Sequence, residues 1–507
     1  MSVFNPKRKI MKNIKHKLIQ VAACLGVLLA VVSCTGNLEL TPTSEITVAG
    51  FWTTEDNAKG ALNGMYVRFR DQSASNLFTW GEGRSGTLTY GLQASEGLER
   101  YFENTVDPNF AGPDWLRMYT VVHDANLLIE YVPGIGFTNE ADKNRMLAEA
   151  YTMRAFAYFT MAKTWGGIPL VTSPTEGYDA ETTFRERSSV DAVFAQVKED
   201  LNTALSLYPD NSLAAGKVSW SKPAANALKG DVYLWTAKQL DGGNTDLQTA
   251  LEALQEADIA ELDLLPNYDD IFRYDNKGNN EILMAVHFRD LESGTNYNSG
   301  MYIRDDQIPA GADPEVIDQI GQGGGLNRWG PSPVVTSAYT NGDQRKNATF
   351  LSISIPNEDG QMEPYANIVT KLRGYIDPSG RRFLDDVVLY RYADLLLMIA
   401  EAKNALGMDP SEEMNKVRLR AYGEDFEDHR FVDMGQLAND EAILEERLLE
   451  LSFEGKRWWD LVRFDKEFEL VPSLQGRENE QYLTLWPISL NTISLNSKIT
   501  QNPGYGN

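Results

Sequence analysis

Apolar residues recur at three- and four-residue intervals along much of the chain, the spacing of a helix face turned to a core. Ala58, Leu62, Met65, Tyr66 and Phe69 form one such stripe, behind Thr53 and Asp56 in a capping-box pattern. Trp115, Met118, Val122, Ala125 and Ile129 form a second. Leu147, Tyr151, Ala155, Tyr158, Ala162 and Trp165 predict a long third helix, stopped by Gly166, Gly167 and Pro169. Val190 to Tyr208 and Ala224 to Gln239 predict a further pair, with Ser221 as cap and Pro223 in the first turn, where a missing N–H costs nothing. A short amphipathic helix follows over 246–260, and the C-terminal third predicts helices at Val387 to Leu406, Glu412 to Tyr422 and Glu441 to Phe464.

Two stretches break this rhythm. Residues 73–113 are dense in Gly, Ser, Thr and Asn and read as a long irregular excursion. Residues 265–385 are rich in Gly, Asn, Asp and Pro, with short β-like runs at Glu281 to Phe288 and Leu351 to Ile355 and four glycines within Gly321 to Gly325. This middle is too long to be a mere connection. The predicted fold is therefore mainly α: tetratricopeptide-like helix pairs as scaffold over about 51–260 and 386–507, with a loop-rich insertion over about 265–385 and small β elements.

The amino end reads differently. Lys7, Arg8, Lys9, Lys12, Lys15 and Lys17 precede an apolar run from Leu18 to Val32 without Asp or Glu, the n- and h-regions of a signal peptide over 1–33. The run is short of the ~20 residues of a spanning helix. Met11-Lys12-Asn13 opens a shorter signal of the same kind. Val31-Val32-Ser33-Cys34 resembles a bacterial lipobox, in which Cys34 is lipidated and starts the mature chain, with 34–50 as a tether and 51–507 as the body. Only Cys24 and Cys34 occur. With Cys24 removed, the exported chain can form no internal disulfide, and lipid attachment gives the lone Cys34 a purpose. The full chain of 507 residues carries 47 Lys and Arg against 72 Asp and Glu, a net charge of −25. That balance argues against nucleic acid as a partner.

Five stretches in order resemble the SusD/RagB family of Bacteroidetes outer-membrane lipoproteins. They are Phe51-Trp52 with Ala61 to Tyr66; Arg154 to Phe159 leading to Trp165-Gly166-Gly167-Ile168-Pro169-Leu170; Tyr390 to Met398 with Ala400-Glu401-Ala402; Glu446-Arg447 to Phe453-Glu454-Gly455-Lys456-Arg457-Trp458-Trp459-Asp460-Leu461; and the tail Gln501-Asn502-Pro503-Gly504-Tyr505. The resemblance implies a cell-surface glycan-binding lipoprotein, not an enzyme. It would be held to the outer membrane by its lipid and would hand oligosaccharide to a SusC-like TonB-dependent transporter. It also implies an alternative, a peptide- or protein-binding RagB-like lipoprotein with a similar transporter. The charged residues of these motifs, Arg391, Asp394 and Glu401 with Glu446, Arg447, Glu450, Glu454 and Arg457, read as structural ion pairs.

A glycan offers hydroxyls and patches of C–H. An exposed flat ring flanked by guanidinium or amide groups matches it, and loops on a rigid scaffold are the expected carriers. Trp80 with Arg84 and Tyr90, and Tyr297, Tyr302, Asn327, Arg328 and Trp329 in the middle, are the ligand-binding candidates, with Trp80 and Trp329 expected as the leading exposed platforms. Catalytic patterns are weak: His123, His287 and His429 are scattered, and Asp305-Asp306 and Asp385-Asp386 are the acidic pairs. Asp241, Asn244 and Asp246 offer oxygen atoms in a Gly-rich turn that could hold Ca²⁺, though not at EF-hand spacing.

Overall fold

The computed structural model describes residues 48–506 except 94–96, 176 and 178. The signal segment, Cys34 and most of the tether lie outside the described residues. By contacts the chain falls into two units, Met1–Thr53 and Thr54–Asn507. In the first, Val48–Phe51 is a single helical turn. All that follows concerns the second.

Nine helices of twelve or more residues lie among the described residues: α1 (Glu55–Ser73), α2 (Leu116–Tyr131), α3 (Glu140–Trp165), α4 (Val190–Leu207), α5 (Lys222–Gln239), α6 (Gly243–Ala257), α7 (Tyr392–Ala405), α8 (Ser411–Tyr422) and α9 (Gln436–Leu451). Each packs on the next in the order α1 to α8, and α9 returns onto α7. This is the stacking of helix pairs that the periodicity predicts, and it is mainly α as expected. The cap of α1 is one residue later than predicted: the Thr54 hydroxyl accepts from the Asn57 N–H at 3.2 Å. α3 is the axis of the N-terminal half and is buried from Met146 to Trp165 except at the half-buried Tyr151. Alanines at 148, 150, 155, 157 and 162 let neighbouring helices approach it. Arg154 on this helix forms a buried bidentate pair with Asp200 on α4, at 2.8 and 2.6 Å, and also donates to Asn126 on α2. One guanidinium thus ties three helices. Gly166 ends the helix at φ 74, a conformation that favours glycine.

The same helix buries Glu149, whose carboxylate accepts a hydrogen bond from the Tyr66 hydroxyl at 2.7 Å. Burial raises this carboxyl to about 7, against smaller lowering effects of the Tyr66 hydrogen bond and Arg145. An unfolded Glu titrates near ~4.3. Between those values the native chain holds a proton that the unfolded chain has released. Stability therefore falls as pH rises through the window, and the deficit is complete above it. Glu149→Gln keeps an acceptor for Tyr66 and removes the titration. The variant should gain about 3–4 kcal/mol on the wild type at pH 8 and almost nothing at pH 4. Urea unfolding at both pH values measures this, and a gap that does not change with pH would contradict it.

Among the described residues, eight short strands pair in twos. β1 (Leu88–Tyr90) pairs with β3 (Trp329–Pro331), β2 (Ile282–Val286) with β8 (Val387–Arg391), β4 (Phe350–Pro356) with β5 (Met362–Val369), and β6 (Tyr375–Asp377) with β7 (Gly380–Arg382), all antiparallel. The insertion has its own apolar core, with Tyr302, Ile303, Ile320, Ile353, Ile368 and Phe383 buried together. Three predicted elements change here. Residues 73–113 are less irregular than they read, since they contain helices at Asn76–Glu82 and Glu99–Phe102 as well as β1. The helix predicted from Val387 begins only at Tyr392, because the wholly buried Val387–Arg391, which opens on two β-branched valines, pairs with β2. The helix predicted through Phe464 breaks after Leu451 and resumes at Arg457–Arg463. Phe453 and Gly455, at φ 65 and 73, turn the chain between them.

That break presents Glu450 and Glu454 to a buried ionic cluster. Arg391 Nη1 donates to Glu281 and Glu450, both at 2.7 Å, its Nε donates to Glu454 at 2.9 Å, and its Nη2 donates to the Glu450 carbonyl. Arg345 binds Asp343, Glu446 and Glu450, Lys371 binds Glu454, and Arg420 binds Glu281 and Glu450. Beside it, Asp394 pairs with Arg447 and Lys456, and Glu401 with Arg463 and Lys238. Burial alone would raise these carboxyls. The adjacent cations override it and hold Asp394 and Glu401 at about 2. The structural reading of these charges stands, with two changes: Arg391 serves not Asp394 but three acids from elsewhere in the chain, and Arg457 makes no ion pair among the described residues but donates to the Leu444 carbonyl. The tail is also structural. Asn502 Nδ2 donates to the carbonyls of Trp165 and Trp486, and the Tyr505 hydroxyl donates to the Leu485 carbonyl at 2.6 Å.

Candidate functional site

The two candidate loops, more than two hundred residues apart in sequence, are zipped together. β1 and β3 pair with Leu88 opposite Pro331, Thr89 opposite Gly330 and Tyr90 opposite Trp329. The ladder continues past the strands, with the Gly91 N–H donating to the Arg328 carbonyl at 3.2 Å and the Gln93 N–H to the Asn327 carbonyl at 2.8 Å. Gly91 is required here: a Cβ would lie 2.3 Å from the Asn327 carbonyl oxygen.

The pairing separates the candidates sharply. Trp80 is fully buried. Its indole N–H donates to the Pro113 carbonyl at 2.9 Å and its ring meets Trp165 edge-on at 5.1 Å. It lies on the buried helix Asn76–Glu82, not on an open loop. Arg84 is fully buried too, donating to Asn104 and to the carbonyls of Leu483 and Leu485, with its guanidinium 4.4 Å above the Trp458 ring. Tyr297 stacks on Phe78 at 4.1 Å, and Trp329 packs edge-on against the same ring at 5.8 Å. Tyr302 lies in the core of the insertion and donates to the Ile320 carbonyl at 2.8 Å. Asn327, at φ 42, is buried and uses its Oδ1 to accept from the Leu92 N–H. Trp80, Arg84, Tyr297, Tyr302, Asn327 and Trp329 are therefore corrected from ligand contacts to supports. Large rings in glycine-rich segments need burial as much as rings on helices do, and here the glycines admit close packing: a Cβ on Gly300 would lie 2.8 Å from Trp329 Nε1.

Tyr90 and Arg328 remain on the surface. Tyr90 is 52% exposed. Its ring is held edge-on by Phe102 at 5.0 Å, and its hydroxyl donates to Glu103 at 3.1 Å. Arg328 is exposed and has no hydrogen bond or ion pair from its side chain among the described residues. Gln93, missed in the sequence, is exposed beside them and receives a hydrogen bond from Arg304, which is clamped by Asp306 at 2.9 and 2.8 Å. Leu92 and Leu326 add exposed apolar surface. A fixed aromatic ring with its carboxylate partner, an amide held to a guanidinium–carboxylate pair, and the Arg328 guanidinium thus lie along the paired-loop edge, and these are the groups that stack on a sugar face and bond its hydroxyls. Neither exposure had a local signal in the sequence: Leu88 and Tyr90, two apart on one strand, share a face by their spacing, yet one is buried and the other exposed, and nothing singled out Gln93.

The other candidate groups are engaged elsewhere. His287 faces Asp386 at 3.1 Å, His429 stacks on Tyr422, and His123 accepts from the Thr175 N–H. Asp385 receives the Gly374 N–H and Asp305 the Gly323 N–H. Asp246 holds Lys198 at 2.6 Å. Among the described residues no group of three or more His, Cys, Asp or Glu side chains is arranged to hold a metal, and no helix is long and apolar enough to cross a membrane.

Comparisons with known proteins agree with this architecture. A model of the SusD family matches residues 377–505, and a model described as starch-binding associating with outer membrane matches residues 69–234. SusD-like protein P38 of Formosa agariphila is 27% identical over 97% of this chain and 100% of its own. Among solved structures, B. fragilis NanU superposes with a TM-score of 0.80 at 32% identity, covering 92% of this chain and 100% of that one. A structure titled as a laminarin binding SusD-like protein superposes with a TM-score of 0.70 at 24% identity, over 89% of this chain and 100% of that one.

Proposed function

The chain belongs to the SusD family, and from that premise we propose that it captures oligosaccharide at the cell surface and delivers it to a SusC-like TonB-dependent transporter. The Tyr90 and Arg328 edge is the capture site. Lipid on Cys34 is the anchor, and the polar segment after it is the tether to the outer membrane. The single observation that carries this reading is the exposed Tyr90 ring, held rigid by Phe102 and Glu103 amid polar side chains. A ring fixed before binding loses little freedom on stacking against a sugar. The family description as starch-binding and associated with the outer membrane supports the same reading.

One experiment on intact cells tests it. The full chain and its Cys34→Ser variant are expressed in a Bacteroidetes host and offered fluorescent starch, laminarin, xylan, mannan and pectin. Cells carrying the wild type should retain one of these polymers, and detergent extracts should yield the protein with a β-barrel transporter. Cells carrying Cys34→Ser should lose the label as the protein passes to the medium. Failure of the wild type to retain any polymer would contradict capture. Unchanged cell association of the variant would contradict the anchor, and extracts without a barrel would contradict delivery.

A further inference from the structure

A second polar cleft opens on the same insertion. It has a volume of about 660 Å³ and lies between the 267–269 turn, the end of the helix Pro314–Ile320, the helix Arg345–Thr349 and the β6–β7 hairpin. None of its lining residues belongs to the Tyr90 edge. Gln319, Gln344 and Asn347 bring exposed amide side chains to it from two elements, and none of the three makes a side-chain hydrogen bond to the protein among the described residues. Arg373 enters from a third side, paired with Asp269 at 2.9 Å. Tyr375 lines the cleft with its ring stacked on Tyr274 at 4.0 Å and 24°.

The cleft is preformed. Arg381 donates to the carbonyls of Gln322, Ile320 and Arg373, clamping the glycine-rich run to the hairpin. Free amides are bifunctional, each with donors and an acceptor, and suit vicinal hydroxyls better than they suit an ion. A ring fixed by stacking beside them adds the apolar half of sugar recognition. The cleft therefore repeats the chemistry of the Tyr90 edge with different residues.

The two places are also near each other. Gly321 lines the cleft, and Asn327 supports the Tyr90 edge through its carbonyl and side chain. Six residues of chain separate them, so their Cα atoms lie at most ~20 Å apart. We infer that this cleft is a second saccharide-binding subsite that engages a further stretch of the same glycan chain, an inference that rests on the Tyr90 edge being the first. Once one end is bound, the second contact is intramolecular. Affinity then rises with chain length until both places are filled.

Calorimetric titration with size-graded malto-, laminari-, xylo-, manno- and galacturono-oligosaccharides tests this, using the wild type, Gln344→Ala/Asn347→Ala and Asn347→Trp, the last of which fills the cleft. All substituted positions are exposed, so thermal unfolding should not move. In the bound series the wild type should gain at least ~10-fold in affinity between trisaccharide and octasaccharide. Both variants should flatten that gain while binding the trisaccharide as the wild type does. A gain that persists in both variants, or no gain in the wild type, overturns the subsite and leaves the Tyr90 edge intact. Absence of wild-type binding to every series overturns both.

Discussion

Arg391→Met should destabilise the folded chain by about 3–5 kcal/mol, the cost of stripping one partner from a buried ionic group. Arg391 is fully buried and its guanidinium faces Glu281, Glu450 and Glu454 at once. Burial opposes the charge on Glu450, but Arg420, Arg391 and Arg345 together hold its carboxyl below the usual range. Methionine matches much of the stem volume and supplies no donor. Lys371, Arg345 and Arg420 would then face an excess of carboxylates with no water to screen them. Arg391→Lys restores the charge without the fork and should recover only part of the loss, because a compact ammonium cannot reach three carboxylates and a carbonyl together. Urea unfolding of the three proteins measures the series. A loss below about 1 kcal/mol for Arg391→Met would show the cluster to be dispensable.

The second large effect separates binding from stability. Tyr90→Ala and Arg328→Ala remove exposed groups and should leave unfolding within about 0.5 kcal/mol of the wild type. Each should weaken glycan binding about tenfold or more, the first through lost stacking and the second through lost charge-assisted hydrogen bonds. Trp80→Ala should do the reverse. It empties a fully buried site packed against Trp165 and should cost about 3–5 kcal/mol. At a temperature where the variant remains folded, its glycan affinity should stay near that of the wild type.

Much of the scaffold was legible because helix periodicity is a local signal. The stripes at Ala58 to Phe69 and Leu147 to Trp165 fall on α1 and α3. The boundaries failed where a long-range partner decided the outcome. Val387–Arg391 is a strand because β2 lies beside it, and nothing near residue 387 reports on residue 282. The site was legible in region but not in residue. Both loops were identified, yet what packs over each ring decides which of them faces outward, and that packing is a tertiary fact. Tyr90 and Trp329 are opposite each other across the ladder, one exposed and one packed on Phe78. Arg84 shows the same limit: a guanidinium near an aromatic ring reads as a ligand contact, but its donors are spent on Asn104 and on the carbonyls of the C-terminal segment.

The most direct measurement is a side-by-side calorimetric titration of the purified wild type, Tyr90→Ala and Trp80→Ala with starch, laminarin, xylan, mannan and pectin. The account predicts that the wild type binds at least one polymer, that Tyr90→Ala loses at least ~10-fold in affinity with unchanged unfolding, and that folded Trp80→Ala binds as the wild type does. Tyr90→Ala binding as tightly as the wild type, with Trp80→Ala alone losing affinity, would place the sugar elsewhere and contradict it.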